Sequence, residues 1–263
     1  MLFILHPPSA RHRLDRYAKY AWAVPLEVPV APQPLLLMEN NAWVLVAQQY
    51  EKFKHLKYVG TLSWSAYRKL NLRRLDEFLR SPLIQEGNAD YVHFSYTGLS
   101  ALEETAPFHP GFDRAWKRLC EETGGDTHLM STHYNYWMCR PHLFMGFVQW
   151  MHTTVIPRCI AMPEMYRDAL YTVGGLSSTA LTKLWGRPYY PLAPFVLERF
   201  TFQYFRDLKT LLIPHSILGR RLVDLLEPYV GVQACEVMQE KNFETVALFV
   251  LLLYVLLHYL QLL

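Results

Sequence analysis

Four short segments of this chain set hydroxyls, amides, aromatic faces and fixed charges side by side, the equipment for holding a sugar, a base or a phosphate. In Lys57-Tyr58-Val59-Gly60-Thr61-Leu62-Ser63-Trp64-Ser65-Ala66-Tyr67-Arg68-Lys69 a short apolar run ends in serines, aromatics and an arginine. Flat rings and hydroxyls at the C-terminal edge of a strand suit a sugar or base, and the planar fork of Arg68 suits a phosphate or carboxylate. The same residues equally suit a strand end that closes the core and caps a helix. In His133-Tyr134-Asn135-Tyr136-Trp137-Met138-Cys139-Arg140-Pro141, strand alternation puts Tyr134, Tyr136 and Met138 on one face and Asn135, Trp137 and Cys139 on the other. A tryptophan floor beside an amide binds a sugar ring through stacked C–H groups and hydrogen-bonded hydroxyls, although an aromatic core strand has the same composition.

The third segment runs from the proline-rich Trp185-Gly186-Arg187-Pro188-Tyr189-Tyr190-Pro191 into Pro194-Phe195-Val196-Leu197-Glu198-Arg199-Phe200. Glu198 is a candidate general base for an acceptor hydroxyl and Arg199 a counter-charge for a diphosphate leaving group; a structural ion pair at a helix start is the alternative. The fourth, Gly87-Asn88-Ala89-Asp90, offers Asp90 as a weak metal candidate. It precedes a strand and belongs to no Asp-x-Asp pair, so a turn-forming role competes with it. None of the 11 histidines stands in an H-E-x-x-H spacing, and the chain has no G-x-S-x-G elbow, Walker loop or G-x-G-x-x-G turn. Hydrolase, P-loop and dinucleotide chemistries therefore lack their usual signals.

The elements that must position these segments alternate between short apolar runs and helical patterns. Strands are predicted at Leu2 to His6, Glu27 to Val30, Leu35 to Met38, Tyr58 to Leu62, Tyr91 to Ser95 and Ser131 to Cys139. Helices are predicted from Asn40 through Phe53, capped by Asn40 or Asn41, from Leu72 to Leu79, from Gly111 to Glu122, from Pro141 to Met151 with a break at Pro157, and from Pro194 through Leu212. This is an α/β pattern, a mostly parallel sheet flanked by helices with a helical second half. The 263 residues suffice for one large domain, expected over 1–240.

Hydrophobic residues make up 51 % of the chain and charged residues 19 %, and the net charge of +3 gives no bulk argument for a nucleic-acid partner. Cys120, Cys139, Cys159 and Cys235 are scattered, so reduced thiols are expected. From Thr245 to Leu263 no Asp, Glu, Lys or Arg occurs. An apolar helix over 245–263 is just long enough to span a bilayer, a candidate tail anchor that would hold the domain on the cytosolic face of a membrane. Packed on the core instead, it would leave the protein cytoplasmic.

Taken in order, these segments resemble the glycosyltransferase-like proteins of capsular-polysaccharide loci and related sugar-transferase domains of large DNA viruses. The resemblance, over about residues 1 to 210, rests on Glu39-Asn40-Asn41-Ala42-Trp43, Tyr58-Val59-Gly60 with Tyr67-Arg68, Tyr134-Asn135, and Phe195-Val196-Leu197-Glu198-Arg199. It implies a GT-A-like, Rossmann-like nucleotide-sugar fold whose one half binds the nucleotide and whose other half receives the acceptor. Ala66 stands where the family usually has a histidine, and the lack of Asp-x-Asp leaves a Mn²⁺ or Mg²⁺ requirement open. The expectation is a transfer of sugar from a nucleotide-sugar donor to a glycan or lipid-linked acceptor. Glu198 would be the base, Asn40, Tyr67, Arg68 and Arg199 would hold the donor, and Asn135 and Trp137 would shape the acceptor side. A tail-anchored, non-catalytic carbohydrate- or protein-binding scaffold with a degenerate transferase fold is the alternative.

Overall fold

A computed structural model describes residues 1–218 apart from 30, 31, 33, 34, 133, 134 and 172–175. Tyr134, Cys235 and the apolar stretch 245–263 lie outside the described residues. Among the described residues seven strands form one sheet: β1 (Leu2–His6), β2 (Ala23–Glu27), β3 (Val59–Ser63), β4 (Tyr91–Ser100), β5 (Met130–Thr132), β6 (Trp137–Cys139) and β7 (Thr210–Pro214). The strand order is β2-β1-β3-β6-β4-β5, with β7 also paired to β4. Strands β1, β2, β3, β4 and β7 run one way, while β5 and β6 run against β4. The protein is therefore α/β, with a mostly parallel sheet.

Both faces of the sheet are covered, and alternation along each strand decides which residue goes where. Phe3, Leu5, Val59, Tyr91 and Trp137 enter the larger core, formed with α1 (Ala42–Ala47), α3 (Phe112–Thr123), α4 (Pro141–Trp150) and α5 (Ala193–Phe205). Leu2, Ile4, Leu62, Val92 and Met138 face the smaller core under α2 (Leu72–Arg80). Trp137 is at the centre of the larger core, its ring centroid 5.1 Å from that of Phe147, 5.5 Å from Phe205 and 6.0 Å from Trp43. Gly60 allows β3 and β6 to approach: a Cβ there would stand 2.0 Å from the Trp137 carbonyl oxygen. Asn71 caps α2, its side chain accepting from the Arg73 and Arg74 backbone N–H groups.

Several expectations are corrected. The run Leu35 to Leu37 is buried but forms no strand, and leads into a 3₁₀ turn at Met38–Asn41. The strand expected at Glu27 to Val30 lies earlier, at Ala23–Glu27, and Pro29, which has no N–H donor, stands beyond its end. Neither Asn40 nor Asn41 caps a long helix; α1 stops at Ala47 and a separate turn of helix follows at Tyr50–Phe53. Pro157 does not end the helix that begins at Pro141. A wider π turn at Met151–Val155 precedes it and the chain continues helical through Ala161, the looser hydrogen-bond ladder absorbing the proline's missing donor. The stretch read as one strand from Ser131 to Cys139 is two, β5 and β6; the Phe94 N–H still donates to the Tyr136 carbonyl at 2.9 Å, and β5 pairs from Tyr96 onward. The helix expected to reach Leu212 ends at Phe205, and Thr210–Pro214 pairs in parallel with β4. Among the described residues no helix is long and apolar enough to cross a membrane.

Candidate functional site

The chain passes from β1 to β2 on one side and later to β3 on the other, so the crevice beyond the C-terminal ends of β1 and β3 is a topological switch point, where open α/β sheets bind ligands. Ser63 ends β3 there. Beside it, the interruption before β6 brings Asn135 and Tyr136 to the same edge. The turn Met38–Asn41 and helix α5 pack together on the side of the larger core.

Glu39, on that turn, is the centre of the arrangement. The Ser63 hydroxyl and the Asn135 amide stand near enough to its carboxylate to favour the charged form. Thr201 of α5 donates to Asn135 Oδ1 at 3.4 Å, which turns the amide nitrogen toward Glu39. Ser63 Oγ is 2.8 Å from Ser65 Oγ and 3.4 Å from the Tyr136 hydroxyl. Glu39 keeps some contact with solvent, whereas Ser63, Asn135 and Tyr136 are buried. Burial first, and then the nearby Glu198 carboxylate, push the Glu39 carboxyl up from 4.5 to about 7, against the pull of Lys69, Ser63 and Asn135. A carboxyl raised to this range beside a topological switch point is poised to exchange protons at neutral pH.

Charges of both signs surround it. Glu198, in the second turn of α5, pairs with Arg199 at 3.1 Å, its side chain 22 % exposed and that of Arg199 only 4 %. The Lys69 ammonium lies 5.9 Å from the Tyr136 ring centroid. Burial lowers its pKa, with Glu198 and Glu39 opposing and Arg199 adding to the shift. Beyond Glu198, His109 Nδ1 is 2.8 Å from the Ala169 carbonyl oxygen and its ring lies 4.1 Å from that of Phe195. Burial pushes this imidazole's pKa down. Leu170, with φ of 52°, carries a left-handed backbone that precedes Tyr171, whose ring packs 5.2 Å from both Phe195 and Tyr190.

On the other side of the crevice, Tyr17 ties the loop after β1 to the loop after β3. Its hydroxyl is 3.2 Å from the Trp64 carbonyl oxygen, to which it donates, and accepts from the Tyr67 N–H at 3.1 Å. Tyr67 is half-buried and Arg68 exposed, with Arg68 Nε 3.4 Å from the Tyr67 hydroxyl.

The structure thus brings Asn135, Glu198 and Arg199 together around Glu39, and places Tyr67 and Arg68 on the adjoining rim. It sets three expected residues elsewhere. Asn40 is 1 % exposed, and its amide donates to the Leu37 carbonyl at 2.7 Å, so it braces the turn that presents Glu39. Trp137 shares a face with Asn135 as expected, but is fully enclosed in the aromatic core and offers no floor to an acceptor. Asp90 stands at the opposite end of β4, where its backbone N–H donates to the Lys209 carbonyl at 2.7 Å and its carboxylate accepts from the Lys209 N–H at 3.3 Å. It fastens β7 to β4 and is not in the crevice. Among the described residues no three His, Cys, Asp or Glu side chains are grouped to hold a metal ion. The donor set for Mn²⁺ or Mg²⁺ is therefore not assembled from them. Glu39 and Lys69 were absent from the expected set because their convergence on Glu198 is purely tertiary.

No family model matches this chain, and no curated protein or solved structure does so either.

Proposed function

We propose that the protein is a glycosyltransferase that moves a sugar from a nucleotide-sugar donor to an acceptor hydroxyl, on a GT-A-like version of its α/β sheet. The observation that carries this reading is the carboxylate pair Glu39 and Glu198, held with Lys69 and Arg199 at the switch-point crevice. Glu39 takes the proton as the acceptor oxygen forms its bond to the anomeric carbon. The bond from that carbon to the diphosphate breaks, and its electron pair leaves with the nucleoside diphosphate. Glu198, expected from its motif to be the base, instead sets the field that keeps the Glu39 pKa high. Cations at the crevice stabilise the charge on the leaving group. Tyr171, which is exposed, and the half-buried Phe195 supply aromatic surface on the Glu198 side for the acceptor.

Saturating panels of nucleoside diphosphates and nucleotide sugars, with and without Mn²⁺, should give a thermal shift or a ligand-detected NMR signal. Silence across the panel rejects a donor site. The division of labour is tested by pH profiles: Glu198→Gln should retain turnover and move the acid limb below 7, whereas Glu39→Gln should lose turnover. The reverse outcome would make Glu198 the base. A binding scaffold without catalysis is favoured by the closed Glu198–Arg199 ion pair; it would bind donor and release no nucleoside diphosphate.

A further inference from the structure

The loop after β1 carries charge that the chemistry above leaves unused. Pro8–Arg16 is a 3₁₀ stretch of nine residues, where such runs rarely exceed three or four. With three residues per turn, positions i and i+3 eclipse, so Arg13 and Arg16 share one face. Both reach across to the segment after β3. The Arg13 guanidinium carbon lies 4.9 Å from the Trp64 ring centroid and that of Arg16 4.4 Å from the Tyr67 ring centroid. Arg68 is 5.6 Å from the first ring and 5.9 Å from the second.

Three guanidinium groups are thus gathered on two aromatic plates, and among the described residues none forms an ion pair with a carboxylate. Their combined field is visible in Tyr67. Burial pushes its phenol up, yet the hydrogen bond from Arg68 and the charges of Arg68, Arg16 and Arg13 bring it below its ordinary value. Like charges collected this way and lacking counter-charges favour an anion with several oxygens, for which the planar forks are shaped. The position agrees. These residues rim the switch point, and Tyr17 feels both Arg16 and Glu39, so one tyrosine separates the cation cluster from the raised carboxyl.

We infer that Arg13, Arg16 and Arg68 form the cradle for the donor's diphosphate, and that guanidinium groups neutralise it in place of a bridging divalent cation. This rests on the nucleotide-sugar reading of the same crevice. The two carboxylates in the crevice face Lys69 and Arg199, which compete with any metal for them.

Calorimetric titration of the full chain with UDP, GDP, ADP, CDP and dTDP, each in EDTA and in Mn²⁺, tests it. Inorganic pyrophosphate is the control probe. The expected result is binding of at least one nucleoside diphosphate in EDTA, changed by less than about threefold in Mn²⁺. The doubly substituted Arg13→Ala/Arg16→Ala protein should bind about 100-fold more weakly, one charge-assisted contact being worth roughly tenfold. Both side chains are on the surface, and an unchanged melting temperature verifies the variant's fold. Binding that needs Mn²⁺, or that survives the double substitution, overturns the cradle. Pyrophosphate binding that is lost in the double variant, with no nucleoside diphosphate binding more tightly, upholds the cradle and removes the nucleotide-sugar reading.

Discussion

Replacing Glu39 by Gln should make the protein more stable at pH 8 while greatly slowing the proposed transfer. Folding raises this carboxyl from 4.5 to about 7, so between those values the folded chain holds a proton that the unfolded chain has released. Stability therefore falls as pH rises from 4.5 to 7 and is level above. The full shift corresponds to about 3 kcal/mol, at 1.36 kcal/mol per pH unit, and the corresponding penalty at pH 5 is only about 1 kcal/mol. Glutamine keeps the shape of the protonated acid and carries no charge, so it escapes the penalty. The Glu39→Gln protein should melt higher than wild type by roughly 6–12 °C at pH 8, and by much less at pH 5. Loss of a general base should cost about 10²- to 10⁴-fold in kcat. Differential scanning calorimetry at the two pH values, beside a donor-turnover assay, measures both effects. A melting difference that is the same at pH 5 and pH 8, or a glutamine variant that retains kcat, refutes the reasoning.

Lys69→Met removes the cation that holds the Glu39 pKa down, so the acid limb of the kcat/KM profile should move above 7, and an unmoved limb would separate the two groups. Gly60→Ala drives a methyl group into the Trp137 carbonyl, a collision with backbone that should cost about 3 kcal/mol in a urea titration. Trp137→Ala should cost about 3–5 kcal/mol through the cavity it leaves. A raised acceptor KM with unchanged stability would instead return that residue to the crevice.

Much of the frame was legible because its signals are local. The apolar run Leu2 to Leu5 stops at Pro7-Pro8, the helix Leu72–Arg80 has its Asn71 cap and the Ser81-Pro82 stop, and Gly124 ends its helix in the left-handed conformation. Strand β7 was hidden because Thr210 to Ile213 follows an apolar helix with only a short turn between, and an apolar run of that length has no period that separates strand from helix. In the site, Asn135 and Glu198 were legible as polar groups embedded in aromatic segments. Glu39 was visible beside Asn40, but only the docking of α5 on its turn brings the Glu198 charge to the acid and adds to the rise of its pKa. Period-two alternation put Asn135 and Trp137 on one face correctly. It carries no information about which of them reaches the sheet's edge and which lies beneath it.

The placement of α5 has a consequence for biosynthesis. Glu198, Arg199 and Thr201 enter the crevice from a helix made long after β1, β3 and the Glu39 turn have emerged, and β7, which follows it, must find β4 across 119 residues at the Asp90–Lys209 contact. A ribosome-bound chain that ends before residue 193 therefore has Glu39, Ser63 and Asn135 but neither the Glu198 carboxylate nor the Thr201 hydroxyl that bonds Asn135. The Glu198 share of the rise in the Glu39 pKa is present only when the long-range contacts close, which are the slowest to form. If the proposed transfer holds, turnover measured during synthesis would report the completion of the fold.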